Sequence, residues 1–416
     1  MKLSKRIVFG SALLLFCAVV GFSQLPQGAP AAGTQPAAGR GPQGPRVVSP
    51  EILSDNRVTF RLLAPQAADV QLNGDWPGGR GTKMTKDASG VWSVTTPPLA
   101  AEVWTYTFSV DGVSTLDPAS TRVVRDTTHF WNAVLVPGPG SALYQAGKVP
   151  HGTVTTVWYP SPALKADRRL IVYTPPGYET SRVRYPTVYL FHGGGADEEA
   201  WLVEGVTNVV MDNLIAQGKA RPMIVVMPNA NWTESAALDY GGPRTARGGA
   251  QPGAAGGARA PGGGQNYDQA VEDIVNGMIP FIEKRFRALP NRENRAITGL
   301  SMGGGVAINV GLKRLDKFAN VGEFSSGMFG GVAGYAEFDI DKISPGFLKD
   351  VAATNKKLKV LFFSCGESDP RLPFQTKAVE DLRSHGITIT FKSYPGGHEW
   401  RVWRASFVDF ASMLFR

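Results

Sequence analysis

The sequence predicts two folded domains of different class: an all-β sandwich over residues 47–137, then an α/β domain over 150–416 whose mostly parallel sheet is covered by helices on both faces. Short runs of period-two character fill the first region, whereas from about residue 150 extended apolar runs alternate with helical stretches. A third observation, the placement of glycine, proline and charge, marks the segments that belong to neither core.

The chain opens MKLSKRIVFGSALLLFCAVVGFSQ. Lys2, Lys5 and Arg6 precede an apolar run from Ile7 to Phe22, and Gly21 and Ser23 supply a small-x-small cleavage pattern, so residues 1–23 read as a secretory signal peptide. The run falls short of the roughly 20 residues a spanning helix needs. Cys17 follows bulky Phe16, where lipid attachment would want a small residue. The expectation is a secreted or periplasmic protein with no membrane contact once the signal is removed. Only Cys365 then remains, so stability must come from core burial and not from an internal disulfide.

Residues 24–46, QLPQGAPAAGTQPAAGRGPQGPR, carry too little apolar bulk to offset the entropy of ordering and read as a flexible linker. The formal net charge of +8 lies in three acid-free stretches: the signal, this linker (Arg40, Arg46) and residues 241–264 (Arg244, Arg247, Arg259). The rest of the chain is neutral. A nucleic-acid partner would show as a basic face or stripe, and none is expected.

In the β region the runs VTFRLLAP, DVQLNGDW, VWSVTTPPL, VWTYTFSVDG and WNAVLVPG are separated by turn residues at short intervals, the spacing of a sandwich. "VTFRLLAPQAADVQLNGDW" and "YTFSVDG…LDP" resemble the immunoglobulin-like module of carbohydrate-binding module family 48. Trp76, Trp92, Trp104 and Trp131 offer flat faces for sugar rings, with core or interdomain packing as the plainer role for most of them.

After a linker at 138–149, the runs RRLIVYTP, PTVYLFHG, MIVVMPNA, RAITGLS, KVLFFSCG and ITITFKSYPG alternate with helical stretches such as TNVVMDNLIAQGKA, YDQAVEDIVNGMIPFIEKRFRAL and QTKAVEDLRSHG. That grammar implies parallel strands, with ligands gathering at their carboxyl ends. Ten glycines among residues 241–264 mark an inserted loop.

Gly299-Leu300-Ser301-Met302-Gly303 follows one of these strands and opens a helix, the setting of a nucleophile elbow. Ser301 would attack, and a serine needs a base. Five histidines compete. His129 lies in the β region, His151 at the start of the second domain, His192 upstream in HGGG, and His385 caps a helix before Gly386. His398 remains, in the loop after the last strand. The acid belongs after KVLFFSCG, where Glu367 and Asp369 both stand and Asp369 is preferred. Cys365 beside them packs as a small hydrophobe. Glycines after the strand PTVYLFHG allow close approach of backbone to substrate, so the N–H groups of Gly194 and Met302 are candidates for an oxyanion hole, with His192 holding the loop.

The motifs "HGGGADEEAWLVEG", "PMIVVMPNANW", "GLSMGGG", "CGESD" and "GGHEW" resemble the esterase D-like α/β hydrolases, above all the feruloyl and acetylxylan esterases of carbohydrate esterase family 1. The resemblance implies an α/β-hydrolase fold, a serine carboxylesterase acting on ester substituents of xylan, catalytic Ser301, Asp369 and His398, an oxyanion hole at Gly194 and Met302, and no metal or organic cofactor. The 241–264 insertion departs from that family pattern. Trp201 and Trp232 fall near carboxyl ends of strands and are expected to bind substrate, whereas Trp400 is expected to pack. A siderophore (enterobactin-type) esterase or acyltransferase could use the same fold. A non-catalytic carbohydrate-binding protein is the reading from another class. Oligomeric state has no signal in the sequence.

Overall fold

The computed structural model describes residues 47–126, 129–232, 236, 267–329 and 338–416. The signal peptide, the 24–46 linker and the 241–264 insertion expected above lie outside the described residues.

The β region folds as two facing antiparallel sheets. One holds β1 (Glu51–Ile52), β2 (Val58–Leu63), β5 (Thr85–Lys86) and β6 (Val91–Thr95) in the order β1-β2-β6-β5. The other runs β4 (Thr82–Lys83), β3 (Val70–Gly74), β7 (Val103–Val110), β10 (His129–Leu135), β9 (Val123–Asp126), with β8 (Val113–Thr115) paired to β7. The inward residues of both sheets, Phe60, Leu72, Tyr106 and Phe108 among them, make one aromatic core. Trp76, Trp92 and Trp104 belong to that core. Trp76 stacks on Phe60 with ring centres 5.5 Å apart, and the indole N–H groups of Trp92 and Trp104 donate to the carbonyls of Ala64 and Ala100. None of these three offers a free face for a sugar. Trp131 differs: it is half-buried, stacks against His129 at 5.8 Å, and lines two adjoining surface hollows of ≈ 390 and ≈ 270 Å³.

The second domain is built on one eight-stranded sheet of β11 (Thr153–Ser161), β12 (Ala166–Thr174), β13 (Thr187–Phe191), β14 (Ile224–Pro228), β15 (Arg295–Gly299), β16 (Asn320–Phe324), β17 (Val360–Gly366) and β18 (Thr390–Tyr394). Their order is β11-β12-β14-β13-β15-β16-β17-β18; β12 runs antiparallel to both of its neighbours, β11 and β14, and the remaining neighbours are parallel. This is the α/β-hydrolase arrangement.

Period-two alternation along the strands sorts their residues between two cores. Tyr189, Phe191, Ile224, Val226, Ile297 and Val321 face α3 (Tyr267–Glu272), α4 (Ile279–Arg285), α5 (Met302–Lys313) and α8 (Leu372–Ser384). Val188, Leu190, Val225, Ala296, Phe324 and Phe362 face α2 (Thr207–Ala216) and α9 (Trp400–Met413). Val103, Val124 and Ala133 of the β module join this second core. The two modules therefore share apolar packing. The helix expected over residues 267–289 runs unbroken to Arg285, but it changes to a π-helical turn, Asp273–Met278, between α3 and α4. Pro280 lies just beyond, and its missing N–H removes a helix hydrogen bond there.

Candidate active site

Ser301 stands between β15 and α5 with φ 50° and ψ −113°, a conformation a β-carbon disfavours. The neighbours make it possible. A β-carbon on Gly299 would lie 2.6 Å from the Gly303 backbone and from the Phe191 carbonyl oxygen, and one on Gly303 would lie 2.5 Å from the carbonyl oxygens of His192 and Phe191. The turn is closed by the Ser301 N–H, which donates to the Phe324 carbonyl of β16 at 2.8 Å. This tight strand-to-helix turn lifts the Ser301 hydroxyl clear of the sheet.

His398 lies 3.0 Å from it, Nε2 to Oγ, and its Nδ1 is 2.8 Å from Oδ2 of Asp369. Asp369 comes from the loop after β17, and its carboxylate is fully buried. Burial raises its affinity for a proton. The hydrogen bond from His398, the backbone N–H and guanidinium of Arg371, and the charge of the imidazole outweigh that, holding it at about 2. Glu367, two residues earlier, is exposed and its side chain takes no part. The structure thus brings together Ser301, His398 and Asp369 and leaves Glu367 outside.

Met302 is the first residue of α5, so its N–H is among those with no partner inside the helix. Gly194 faces it: a β-carbon there would lie 3.9 Å from the Met302 sulfur. His192 is buried and pins the loop, with Nδ1 donating to the Gly193 carbonyl at 2.8 Å and Nε2 accepting from the Ala230 N–H at 2.8 Å. Cys365 is buried on β17, and burial pushes its thiol up, away from the reactive thiolate. His385 forms the C-cap of α8 before Gly386, whose φ is +87°.

The two tryptophans expected to bind substrate do not offer free faces. Trp201 is 1% exposed, donates its indole N–H to the Phe191 carbonyl at 2.9 Å, and packs on Trp400, Phe324 and Phe407. It belongs to the core, as one of the two buried residues of the short helix α1 (Ala200–Val203). Trp232 is 6% exposed, wedged between the Phe191 ring and the Arg168 guanidinium, which lies 4.9 Å from its centre. Trp400 packs as expected, with its ring centre 5.2 Å from that of Trp201 and 5.4 Å from that of Trp403. It is partly exposed, midway along an aromatic chain in which Trp403 meets His398 edge-on at 4.9 Å. Position along a strand end carries no signal of which way a side chain points.

One buried group went unnoticed in the sequence. Glu323, on β16 beside the elbow, is fully enclosed, and burial, aided by the Asp369 charge, pushes it up to about 8 against the bonds from the Ser326 and Ser364 backbone and from Gln375.

Comparison with known proteins places these features. The Esterase family model matches residues 161–413, and the model of carbohydrate-binding module 48 (isoamylase N-terminal domain) matches residues 46–127. An endo-1,4-beta-xylanase/feruloyl esterase of Xylanibacter ruminicola is 29% identical over 374 residues, 88% of this chain and 46% of that protein. An acetyl esterase of Caldicellulosiruptor saccharolyticus is 28% identical over 155 residues, 32% of this chain and 58% of that protein. The chain spans about half the length of these curated relatives. Among solved structures, the ferulic acid esterase of Anaeromyces mucronatus superposes with a TM-score of 0.52 at 23% identity, covering 67% of this chain and 96% of that one. The enterobactin esterase of Shigella flexneri gives 0.58 at 17% identity, covering 86% and 92%. These two share the fold. Because the Esterase model spans well over half of its 416 residues, the chain belongs to that family.

Proposed function

We propose that the protein is an exported serine carboxylesterase that removes feruloyl or acetyl groups from a xylan-type cell-wall polysaccharide. The observation that carries the reading is the hydrogen-bonded chain Ser301–His398–Asp369 at the head of α5. His398 Nε2 takes the hydroxyl proton as Ser301 Oγ attacks the ester carbonyl, and Asp369 stabilises the resulting imidazolium through Nδ1. The N–H groups of Met302 and Gly194 receive the oxyanion. His398 then hands the proton to the departing sugar alcohol, leaving an acyl group on Ser301. Water, deprotonated by the same imidazole, releases the acid in a second pass.

The polysaccharide substrate is supported by the xylanase/feruloyl esterase relative, whose similarity runs across both modules of this chain. The groove beside Trp131 suits a sugar chain, with His129 and Trp131 as an aromatic face and Asn73, Asp75 and Arg80 as hydrogen-bonding neighbours. The test is a panel of methyl ferulate, acetylated xylan and a triscatecholate siderophore, assayed with the wild type and with Ser301→Ala. Hydrolysis of either of the first two, abolished in the variant, is expected. Turnover of the siderophore alone moves the reading to that substrate, and activity surviving Ser301→Ala removes the mechanism.

A further inference from the structure

The loop that bears Gly194 runs straight into three adjacent acids, Asp197, Glu198 and Glu199. Adjacent carboxylates repel, and Asp197 and Glu198 are buried, so each needs a cation or donor. Within the α/β domain, Arg169 of β12 bonds Glu198 and reaches Glu199 Oε1 at 2.7 Å, and Asn229 donates to Glu198 at 3.0 Å. Asp197 is met from elsewhere. Arg125 of β9, in the β module, places Nη1 2.7 Å from Asp197 Oδ2 and Nη2 2.7 Å from Glu199 Oε2. The guanidinium is itself mostly buried, with 11% of the side chain exposed.

The clamp is continuous with the turn that carries the glycines. Asp197 Oδ1 accepts the Glu199 N–H at 3.0 Å, Asn231 donates to the Ala196 carbonyl at 2.9 Å, and the Ala196 N–H reaches the Gly193 carbonyl at 3.3 Å. Gly194 and Gly195 are the exposed part of this loop, and Gly195 has a φ of +91°. Such backbone has little rigidity of its own, so its position depends on the anchors on either side. The module also touches the helix that follows His398: Arg404 of α9, which starts two residues after His398, donates to the Val103 carbonyl at 2.8 Å and pairs with Glu102 at 3.1 Å.

We infer that Arg125 is a positioning residue for ester hydrolysis, holding through Asp197 and Glu199 the loop that presents the Gly194 amide, so that the β module is a working part of the esterase site. The inference rests on the function proposed above. Its physical core is that an oxyanion donor counts only within about 2.7–3.1 Å of the developing charge, and that a buried carboxylate deprived of its partner must move or take up a proton. Loss of Arg125 therefore shifts the loop and weakens transition-state binding more than substrate binding. A guanidinium can span two carboxylates as an ammonium cannot.

The test uses the full chain and a small soluble ester, 4-nitrophenyl acetate, which no polysaccharide groove is needed to hold. Arg125→Ala is expected to lower kcat about 10- to 100-fold, approaching the loss of one oxyanion donor, with KM changed less than about threefold. Arg125→Lys should fall between it and the wild type. Asp197→Asn should lower kcat in the same direction, and the double variant should be no worse than Arg125→Ala, in which the Arg125–Asp197 contact is already lost. Folding is followed by thermal melting. Should Arg125→Ala fail to fold, Arg125→Lys and Asp197→Asn carry the test. Wild-type kcat in folded variants, or a loss confined to KM or to the folded fraction, overturns the inference. Should Ser301→Ala abolish activity while the Arg125 variants keep their kcat, the esterase reading stands and this inference alone falls.

Discussion

His398 Nδ1 lies 2.8 Å from Oδ2 of Asp369, a carboxylate with no exposed side-chain surface, while Glu367 two positions earlier faces solvent. The pairing fixes the tautomer of the imidazole: with Nδ1–H donated to the acid, Nε2 is free to accept from Ser301. Asp369→Asn should therefore lower kcat by about 10³- to 10⁴-fold, since an amide can hold the wrong tautomer in place. Glu367→Gln should stay within about twofold, as expected for an exposed residue outside the site. Steady-state kinetics on methyl ferulate measures both, and the opposite ranking would transfer the acid's role to Glu367.

The low affinity of Asp369 for protons has a consequence for the pH profile. Its carboxyl sits at about 2 in the fold, below the ordinary 3.8. The sign follows: the stabilisation it contributes is fully present above the unfolded value and is lost as pH falls through about 2. Asp369 thus stays ionised across a working range of about pH 5 to 8, the range in which histidine ordinarily changes charge. A rising acid limb of kcat/KM with a slope of one is expected, from deprotonation of His398 alone. A slope of two, or a flat profile for the chemical step, would contradict a lone imidazole base.

Glu323 has the opposite sign. Burial pushes it up to about 8 from 4.5. Between those values the unfolded chain releases the proton while the folded one keeps it, so stability declines as pH rises from about 4.5 to 8 and levels off beyond. Glu323→Gln removes the ionisable group and keeps an acceptor for the Ser326 N–H. The variant should match the wild type near pH 4.5 and exceed it by a few kcal/mol at pH 8, from roughly 1.4 kcal/mol per unit of pKa displacement. Urea denaturation at the two pH values measures this, and a pH-independent difference would remove the protonated carboxyl from the account.

Much of this architecture is legible in the sequence where local chemistry and tertiary role agree. β12, β13, β14, β15, β17 and β18 are all announced by apolar runs, and the elbow by glycines that the turn cannot do without. β16 is silent, because Asn320–Phe324 carries a glycine and a glutamate in a five-residue strand. Both have tertiary reasons: a β-carbon on Gly322 would meet the Phe410 ring at 2.7 Å, and Glu323 is fully enclosed, accepting the Ser326 N–H. β11 is silent too, an edge strand stabilised by its nine-residue antiparallel register with β12. Ser301 could be found because its glycine neighbours mark the elbow, and His398 because only five histidines compete. Arg125 could not, because its partner lies 72 positions away in another module.

The aromatic chain beside His398 yields the last prediction. Trp201 lies in its buried part with 1% exposure and a saturated indole N–H, Trp400 is partly exposed between Trp201 and Trp403, and the Trp201 and Trp400 rings meet edge-on at 5.2 Å. Removing the buried ring leaves a cavity and strips the Phe191 carbonyl of one of its two donors, the other being the Leu300 N–H, so Trp201→Ala should cost about 3–5 kcal/mol of stability. Trp400→Ala removes a ring already partly in water and should cost less. Its effect should fall instead on substrate choice, because a partly exposed indole two residues from His398 can meet a flat acyl group or leaving sugar. The measurement is paired: urea midpoints for both variants, and the ratio of kcat/KM for methyl ferulate to that for methyl acetate. Trp400→Ala should lower that ratio with little change in stability, and Trp201→Ala should lower stability with the ratio preserved in whatever protein remains folded. A ratio that responds to Trp201 and ignores Trp400 would place the aromatic contact on the buried ring, against its geometry.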